Sequence, residues 1–202
     1  MKLRVYLILM LCFISALLLC GCTEPIPSSP SPVQSQAVLK PLQTISVTGT
    51  GSFSVRVDGL VPGAVLPEAY TCIGASESPA VSWDNPPQRT KSFVLILDDP
   101  DTPAGTFTHW LVYNIPPQIR QIDRGQPNAK VLANGARSGD NSAGNRGYFP
   151  PCPPPGPAHR YVFTLYALDN EISMPTAGRD SIDMAMAGHV LGQAQAVTTF
   201  RR

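Results

Sequence analysis

Two stretches of this chain concentrate groups able to hold charge and protons. Asp98-Asp99-Pro100-Asp101-Thr102-Pro103 runs on to His109-Trp110, and Pro150-Pro151-Cys152-Pro153-Pro154-Pro155-Gly156-Pro157 runs on to His159-Arg160-Tyr161. Together they carry two of the three histidines. Each joins a proline-stiffened loop to an apolar run that reads as a strand, and loops at strand ends are where small ligands usually bind. Asp99 follows one such run, and His109 and His159 each begin another. If those strands are neighbours in a sheet, an acid and two imidazoles meet. A carboxylate within about 4–6 Å of an imidazole raises its pKa and favours the cation. Two imidazolium N–H groups and the Tyr161 hydroxyl would then hold one small anion. The prolines supply no N–H donors, but they lower the entropy cost of a fixed loop. Weak binding of small anions is the expectation.

A second chemistry is open to the same residues. Two histidines with Asp99 or Asp101 match the type of a two-histidine, one-carboxylate metal site, hence a metal-dependent enzyme. The strong metal motifs are absent, and no Gly-x-Ser-x-Gly elbow marks a hydrolase. No catalytic residue, metal or cofactor is assigned. Asp98 reads as a turn residue, Trp83 and Trp110 as core, and His189 as a helix residue with no acid or histidine nearby in sequence. Arg160 alternates with His159 and is expected on the opposite face, pairing an acid.

The elements that must position these groups are strands. Phe53–Asp58 alternates as a half-buried strand does. Tyr70–Gly74 reads as short and extended, and Ser78–Asp84 as another strand. Ser92–Asp98 is nearly all apolar, as a central strand covered on both faces should be. Thr108–Ile115 is its expected neighbour, and His159–Leu168 a second central strand. Ile119–Asn128 reads as polar connection, Lys130–Ala133 as an edge strand, and Asn134–Gly147 as loop. The one helix is expected over 181–192, with Ser181 as N-cap and Gly192 as its stop. Gln195–Arg201 closes with a strand. The pattern is a mainly β, antiparallel fold with a minor helical part.

The N-terminus sets the compartment. Lys2 and Arg4 precede an apolar run from Val5 to Leu19, followed by Cys20-Gly21-Cys22. This is a secretory signal pattern, too short for a comfortable membrane span. It resembles the lipobox of prokaryotic lipoproteins, with Leu19 three residues before Cys22 and Gly21 just before it. Residues 1–21 are read as signal peptide and Cys22 as the lipidated new N-terminus, which anchors the protein outside the cytoplasm on a prokaryotic membrane. Residues 22–45, rich in proline and serine, read as an extended tether. Residues 46–202 are one domain, enough for one core.

Losing Lys2 and Arg4 leaves 13 basic against 14 acidic side chains, formally −1. No basic stripe is present to displace counterions, so nucleic acid is not a partner. Cys72 and Cys152 remain once the leader is gone and Cys22 is lipidated. In an oxidising compartment an even pair suggests a disulfide. The alternative is two buried thiols.

Several uncommon strings then recur in order: Asp99-Pro100-Asp101-x-Pro103, His109-Trp110-Leu111-Val112-x-Asn114, Gly147-Tyr148, Cys152-Pro153-Pro154-x-Gly156 and His159-Arg160-Tyr161. They resemble the phosphatidylethanolamine-binding protein family, in its prokaryotic, Raf-kinase-inhibitor-like branch, from about Phe53 to Phe200. The resemblance implies an antiparallel β-sandwich with a central sheet, a second smaller sheet and one short C-terminal helix. It also implies a pocket for phosphate, carboxylate or a similar headgroup-sized anion, formed here by Asp99, Asp101, His109, Pro153, Pro154, His159 and Tyr161. The segment between Asp101 and His109 is short, with Phe107 its one ring, which points to an open rim. Some relatives are linked to kinase or protease inhibition, so a regulator or inhibitor of an envelope protein such as a protease is the third reading. The protein partner is unknown. The leading expectation is a membrane-anchored module that binds a small anion.

Overall fold

The computed structural model describes residues 51–202 except Pro62 and Thr176. The signal peptide, Cys22 and the tether expected over 22–45 lie outside the described residues.

Among the described residues, two antiparallel sheets make up the domain. The larger has the order β6-β4-β3-β7-β8, from Arg137–Ser138 (β6), Phe107–Ile115 (β4), Ser92–Asp99 (β3), His159–Leu168 (β7) and Val190–Phe200 (β8). The smaller has the order β1-β2-β5, from Ser54–Val57 (β1), Val81–Asp84 (β2) and Gln121–Ile122 (β5). Among the described residues one α-helix, α1, spans Arg179–Met186.

The period of two along β3 explains the layers. Phe93, Leu95 and Leu97 face the small sheet, where they pack with Trp83, Trp110, Phe163 and Leu165. Val94 and Ile96 face the other way, against Leu111, Tyr113, Ile182 and Met186. Both sides of β3 are therefore dry, and its apolar run has no polar side to show. α1 covers only part of the outer face. It holds there through Ile182 and Met186, its buried residues, because so short a helix gains little from propensity alone.

Several local expectations are corrected. Tyr70–Gly74 is not extended: Glu68–Tyr70 is a 3-10 turn, and Gly74 N–H donates to Thr71 O to continue the turning. The helix starts two residues before Ser181, and its N-cap is Gly178, with no side-chain cap. Ser181 Oγ instead donates back to the Gly178 carbonyl at 2.9 Å. The helix stops at Met186, just before Gly188 at φ +81°, a conformation that favours glycine. Gly192 lies inside β8, where an added Cβ would come within 2.9 Å of Pro87 Cγ. Lys130–Ala133 forms only a bridge, Val131 to Arg137. The edge strand is β6, inside the stretch expected to be loop, and its Ser138 pairs with Val112 on β4. The polar connection contains β5, because Ile122 buries completely beneath the small sheet.

Cys72 and Cys152 are bridged, with Cα atoms 5.3 Å apart across 80 residues of sequence. The bridge ties the turn after Tyr70 to the proline-rich loop before β7.

Candidate functional site

Three strand ends bring the expected side chains together. β3 ends at Asp99, β4 starts just before His109, and β7 starts at His159. β3 pairs with both of the others, so all three side chains lie at one end of the large sheet. Asp99 and Tyr161 follow regular alternation onto the face of Leu97 and Phe163. His109 does not. Leu97 pairs with Trp110 and the next residue, Asp98, pairs with Thr108, which leaves His109 as an extra residue in β4. This bulge puts His109 and Trp110 on the same side of the sheet. His109 thereby packs edge-on against Tyr161 at 5.4 Å between ring centres. Bulges commonly re-aim a side chain in this way beside a site.

Asp99 is 2 % exposed, and both of its oxygens are committed. Oδ2 accepts from His159 Nδ1–H at 2.7 Å, and Oδ1 accepts from the Asp101 backbone N–H at 2.8 Å. The His109 Nδ1–H donates to the Phe149 carbonyl at 2.8 Å. A carboxylate and a carbonyl can only accept, so both rings carry their proton on Nδ1 and turn Nε2 toward other partners. Phe107 and Phe149 flank His109, with ring centres at 4.7 and 6.0 Å.

Burial pushes the His109 pKa below its ordinary value of 6.5, against the opposing pull of the Phe149 carbonyl and the Asp99 charge. This corrects the expectation of two imidazolium cations: removing the His109 ring from water outweighs its acidic neighbour. His109 is therefore neutral at neutral pH, with a lone pair on Nε2.

Tyr161 is fully buried, and its hydroxyl has no hydrogen-bond partner among the described residues. Burial, the nearby Asp99 charge and a loose approach of the hydroxyl to the Asp99 carboxylate, short of full hydrogen-bond geometry, hold its pKa well above the ordinary tyrosine value. Buried hydroxyls are nearly always satisfied, so an orphan here calls for an explanation.

Asp101 sits apart from this cluster in its chemistry. Its carboxylate accepts from Arg160 through Nε at 2.9 Å, Nη2 at 2.6 Å and the backbone N–H at 2.8 Å. Those hydrogen bonds hold the Asp101 carboxyl down to about 2. Arg160 pairs an acid as expected, and the acid is Asp101. Asp101 reaches the cluster through its backbone N–H on Asp99. Asp98, expected in a turn, is a strand residue on the opposite face, where it accepts from Thr108 Oγ1 at 2.8 Å and pairs with Arg179.

Pro153 is buried and Pro154 exposed, on the loop that Cys152 fixes. The Cys72 N–H donates to Pro151 O at 3.0 Å, and the Tyr148 hydroxyl donates to Tyr70 O at 2.6 Å. The loop is thus held on the same turn from both sides of Phe149. Sequence reading missed the role of Phe149, whose contribution is a backbone carbonyl and so leaves no residue-type signal. His189 does have an acid partner, Asp169 Oδ1 at 2.8 Å, at an exposed position.

The cluster is nearly closed. His109 is 4 % exposed, and the His159 side chain 11 %. The expected open rim is corrected: Phe107 and Phe149 narrow it. Among the described residues, no set of three or more His, Cys, Asp or Glu side chains is arranged to hold a metal ion. A groove of about 860 Å³ lies on the other face between Asp98, Tyr166, Gln195 and α1, and none of the imidazoles lines it.

Comparison with known proteins gives a consistent picture. The family model described as phosphatidylethanolamine-binding protein matches residues 57–201. The UPF0098 protein of Methanothermobacter thermautotrophicus is 45 % identical over 138 residues, covering 68 % of this chain and 91 % of its own length. LppC of Mycobacterium tuberculosis, named as a lipoprotein, is 37 % identical over 140 residues, covering 68 % of this chain and 67 % of its own. The crystal structure of E. coli YbcL, titled a member of the mammalian PEBP family, superposes with a TM-score of 0.69 at 26 % identity, over 75 % of this chain and 99 % of that one.

Proposed function

Because this chain belongs to the phosphatidylethanolamine-binding protein family, we propose that it is a binding module for a small oxyanion, a phosphate or carboxylate group, tethered to the outside of a cell membrane through Cys22. The tether rests on the signal pattern and on the lipoprotein name of LppC. The anion reading rests on one observation above the rest: a fully buried, unpartnered Tyr161 hydroxyl beside two imidazoles with Nε2 uncommitted. An oxyanion accepts from the hydroxyl and from a protonated Nε2. It therefore supplies the partners that these groups lack.

The pH dependence follows from His109. An anion seated at Nε2 favours the imidazolium, so binding takes up a proton. Affinity rises as the pH falls from neutrality through the depressed His109 pKa. Stability without ligand runs the other way: below the ordinary value of 6.5 the unfolded chain takes the proton first, and stability is lost as pH falls through the folded pKa. Titration with phosphate and acetate, followed by histidine NMR at pH 5.5 and 7.5, should move the His109 and His159 resonances and show tighter binding at the lower pH. Unmoved imidazole resonances at both pH values would refute the anion site.

Tyr161→Phe separates ligand from fold. An unsatisfied buried hydroxyl costs about 1–3 kcal/mol, so the phenylalanine variant should gain about 1 kcal/mol of stability without ligand. It should also bind phosphate about fivefold more weakly. Loss of stability in that variant would mean that the hydroxyl already has a partner in the empty protein.

A further inference from the structure

The Cys72–Cys152 bridge is a staple on the loop that orients His109. Cys152 is solvent-exposed and Cys72 half-buried, so an outside thiol meets the Cys152 sulfur first. The Arg202 guanidinium lies 3.5 Å from that sulfur through Nη1. A cation at this distance stabilises a thiolate. Three residues upstream, the Phe149 carbonyl receives the His109 Nδ1–H, and the Phe149 N–H donates to the His109 carbonyl at 2.8 Å. The bridge and the imidazole therefore share one short stretch of backbone, which is held on the turn after Tyr70 by the bridge, the Cys72 N–H and the Tyr148 hydroxyl.

We propose that Cys152 is a thiol–disulfide exchange site for an extracytoplasmic dithiol, and that opening its bridge weakens oxyanion binding at His109; the second half rests on the anion-site reading above. The thiolate of the dithiol attacks Cys152 Sγ, the bridge breaks, and Cys72 leaves as a thiolate. The dithiol's second thiolate then attacks its own sulfur in the mixed disulfide, and Cys152 leaves as a thiolate beside Arg202. Two electrons pass to the protein, which ends with two thiols after taking up two protons, and the dithiol becomes a disulfide. Reoxidation runs the same steps backwards, with the Cys152 thiolate as the attacking group. With the bridge open, two hydrogen bonds still hold the loop. The domain stays folded, but Phe149 is fixed less often in the position that orients His109.

The test is reduction of the full folded chain with dithiothreitol, followed by iodoacetamide trapping and mass analysis. Inorganic phosphate affinity is measured before and after, and circular dichroism monitors the fold. Cys152 should be alkylated before Cys72. The reduced chain should keep its spectrum and bind phosphate about tenfold more weakly, as expected if the competent arrangement is populated about a tenth of the time. Cys72→Ser/Cys152→Ser should bind as the reduced chain does. Arg202→Gln should slow alkylation of Cys152 severalfold without altering phosphate binding by the oxidised chain. Equal phosphate affinity in the reduced folded chain would overturn the proposal. So would a bridge that dithiothreitol opens only in denaturant, or reduction that unfolds the whole domain. An oxidised chain that binds no phosphate would refute the anion site instead, and the trapping order would then decide the exchange site alone.

Discussion

Replacing Asp99 by alanine should cost about 3 kcal/mol of stability, the loss expected when a buried acceptor is removed and its buried donors are left unsatisfied. Two donors are stranded: the His159 Nδ1–H and the Asp101 N–H, which reach Asp99 at 2.7 and 2.8 Å. Neither can turn to water easily, because Asp99 is 2 % exposed and His159 9 %. In a domain of this size the loss corresponds to a fall in melting temperature of about 9 °C. Asp99→Asn keeps one acceptor and should recover part of it. The His159 ring should also lose its fixed tautomer, visible as disappearance of a slowly exchanging Nδ1 proton in NMR. A variant that melts within a degree of the parent would show that the pair contributes nothing net.

Removing the bridge by Cys72→Ser/Cys152→Ser should have the larger effect, about 4.5 kcal/mol in the chain-entropy model. The two cysteines are 80 residues apart, so the bridge restricts most of the unfolded domain. The effect acts mainly on the unfolded chain, and denaturant unfolding should show it in two ways. The midpoint should fall, and the slope should rise as the freed unfolded chain expands. Domains of ordinary stability, about 5–15 kcal/mol, remain mostly folded after such a loss, which is the state in which phosphate affinity of the open form is read. A midpoint unchanged on removal of both cysteines would mean that the unfolded chain is already restricted without the bridge.

The large sheet was legible because its strands follow simple rules. Ser92–Asp98 is apolar on both faces and proved to be the centre of the sheet; the second central strand spans His159–Leu168, the bounds expected for it. The cysteine pair was suggested by parity and by the expected compartment, but the 5.3 Å between Cα atoms that closes the bridge was not readable across 80 residues of sequence. Shorter elements were not. β5 and β6 have two residues each, too few for any period, and they exist because β2 and β4 offer them partners. The helix start at Arg179 was hidden because packing of Ile182 and Met186, rather than a capping side chain, sets it.

At the site, residue types were readable and their allegiances were not. Asp99 and Asp101 look alike in sequence. One is buried against an imidazole, and the other is taken by an arginine 59 residues away. The charge of His109 was misjudged because burial depends on Phe107 and Phe149, which reach the ring from different segments. Proximity to an acid was visible in the strand order, whereas the loss of water that outweighs it was a property of the assembled rim.

The extra residue at His109 makes this end of the sheet sensitive to length rather than to composition. The stretch from Thr102 to Thr106 hangs outside the ladder, so its length can change while the imidazole keeps its place. Dropping a single residue between Phe107 and Trp110 is a different event. It restores regular pairing, hands the pocket side to whichever neighbour now falls there, and empties the site without changing one of its defining side chains elsewhere. An alignment of this family that allows a gap at that point therefore describes a protein with the same sheet and a different occupation.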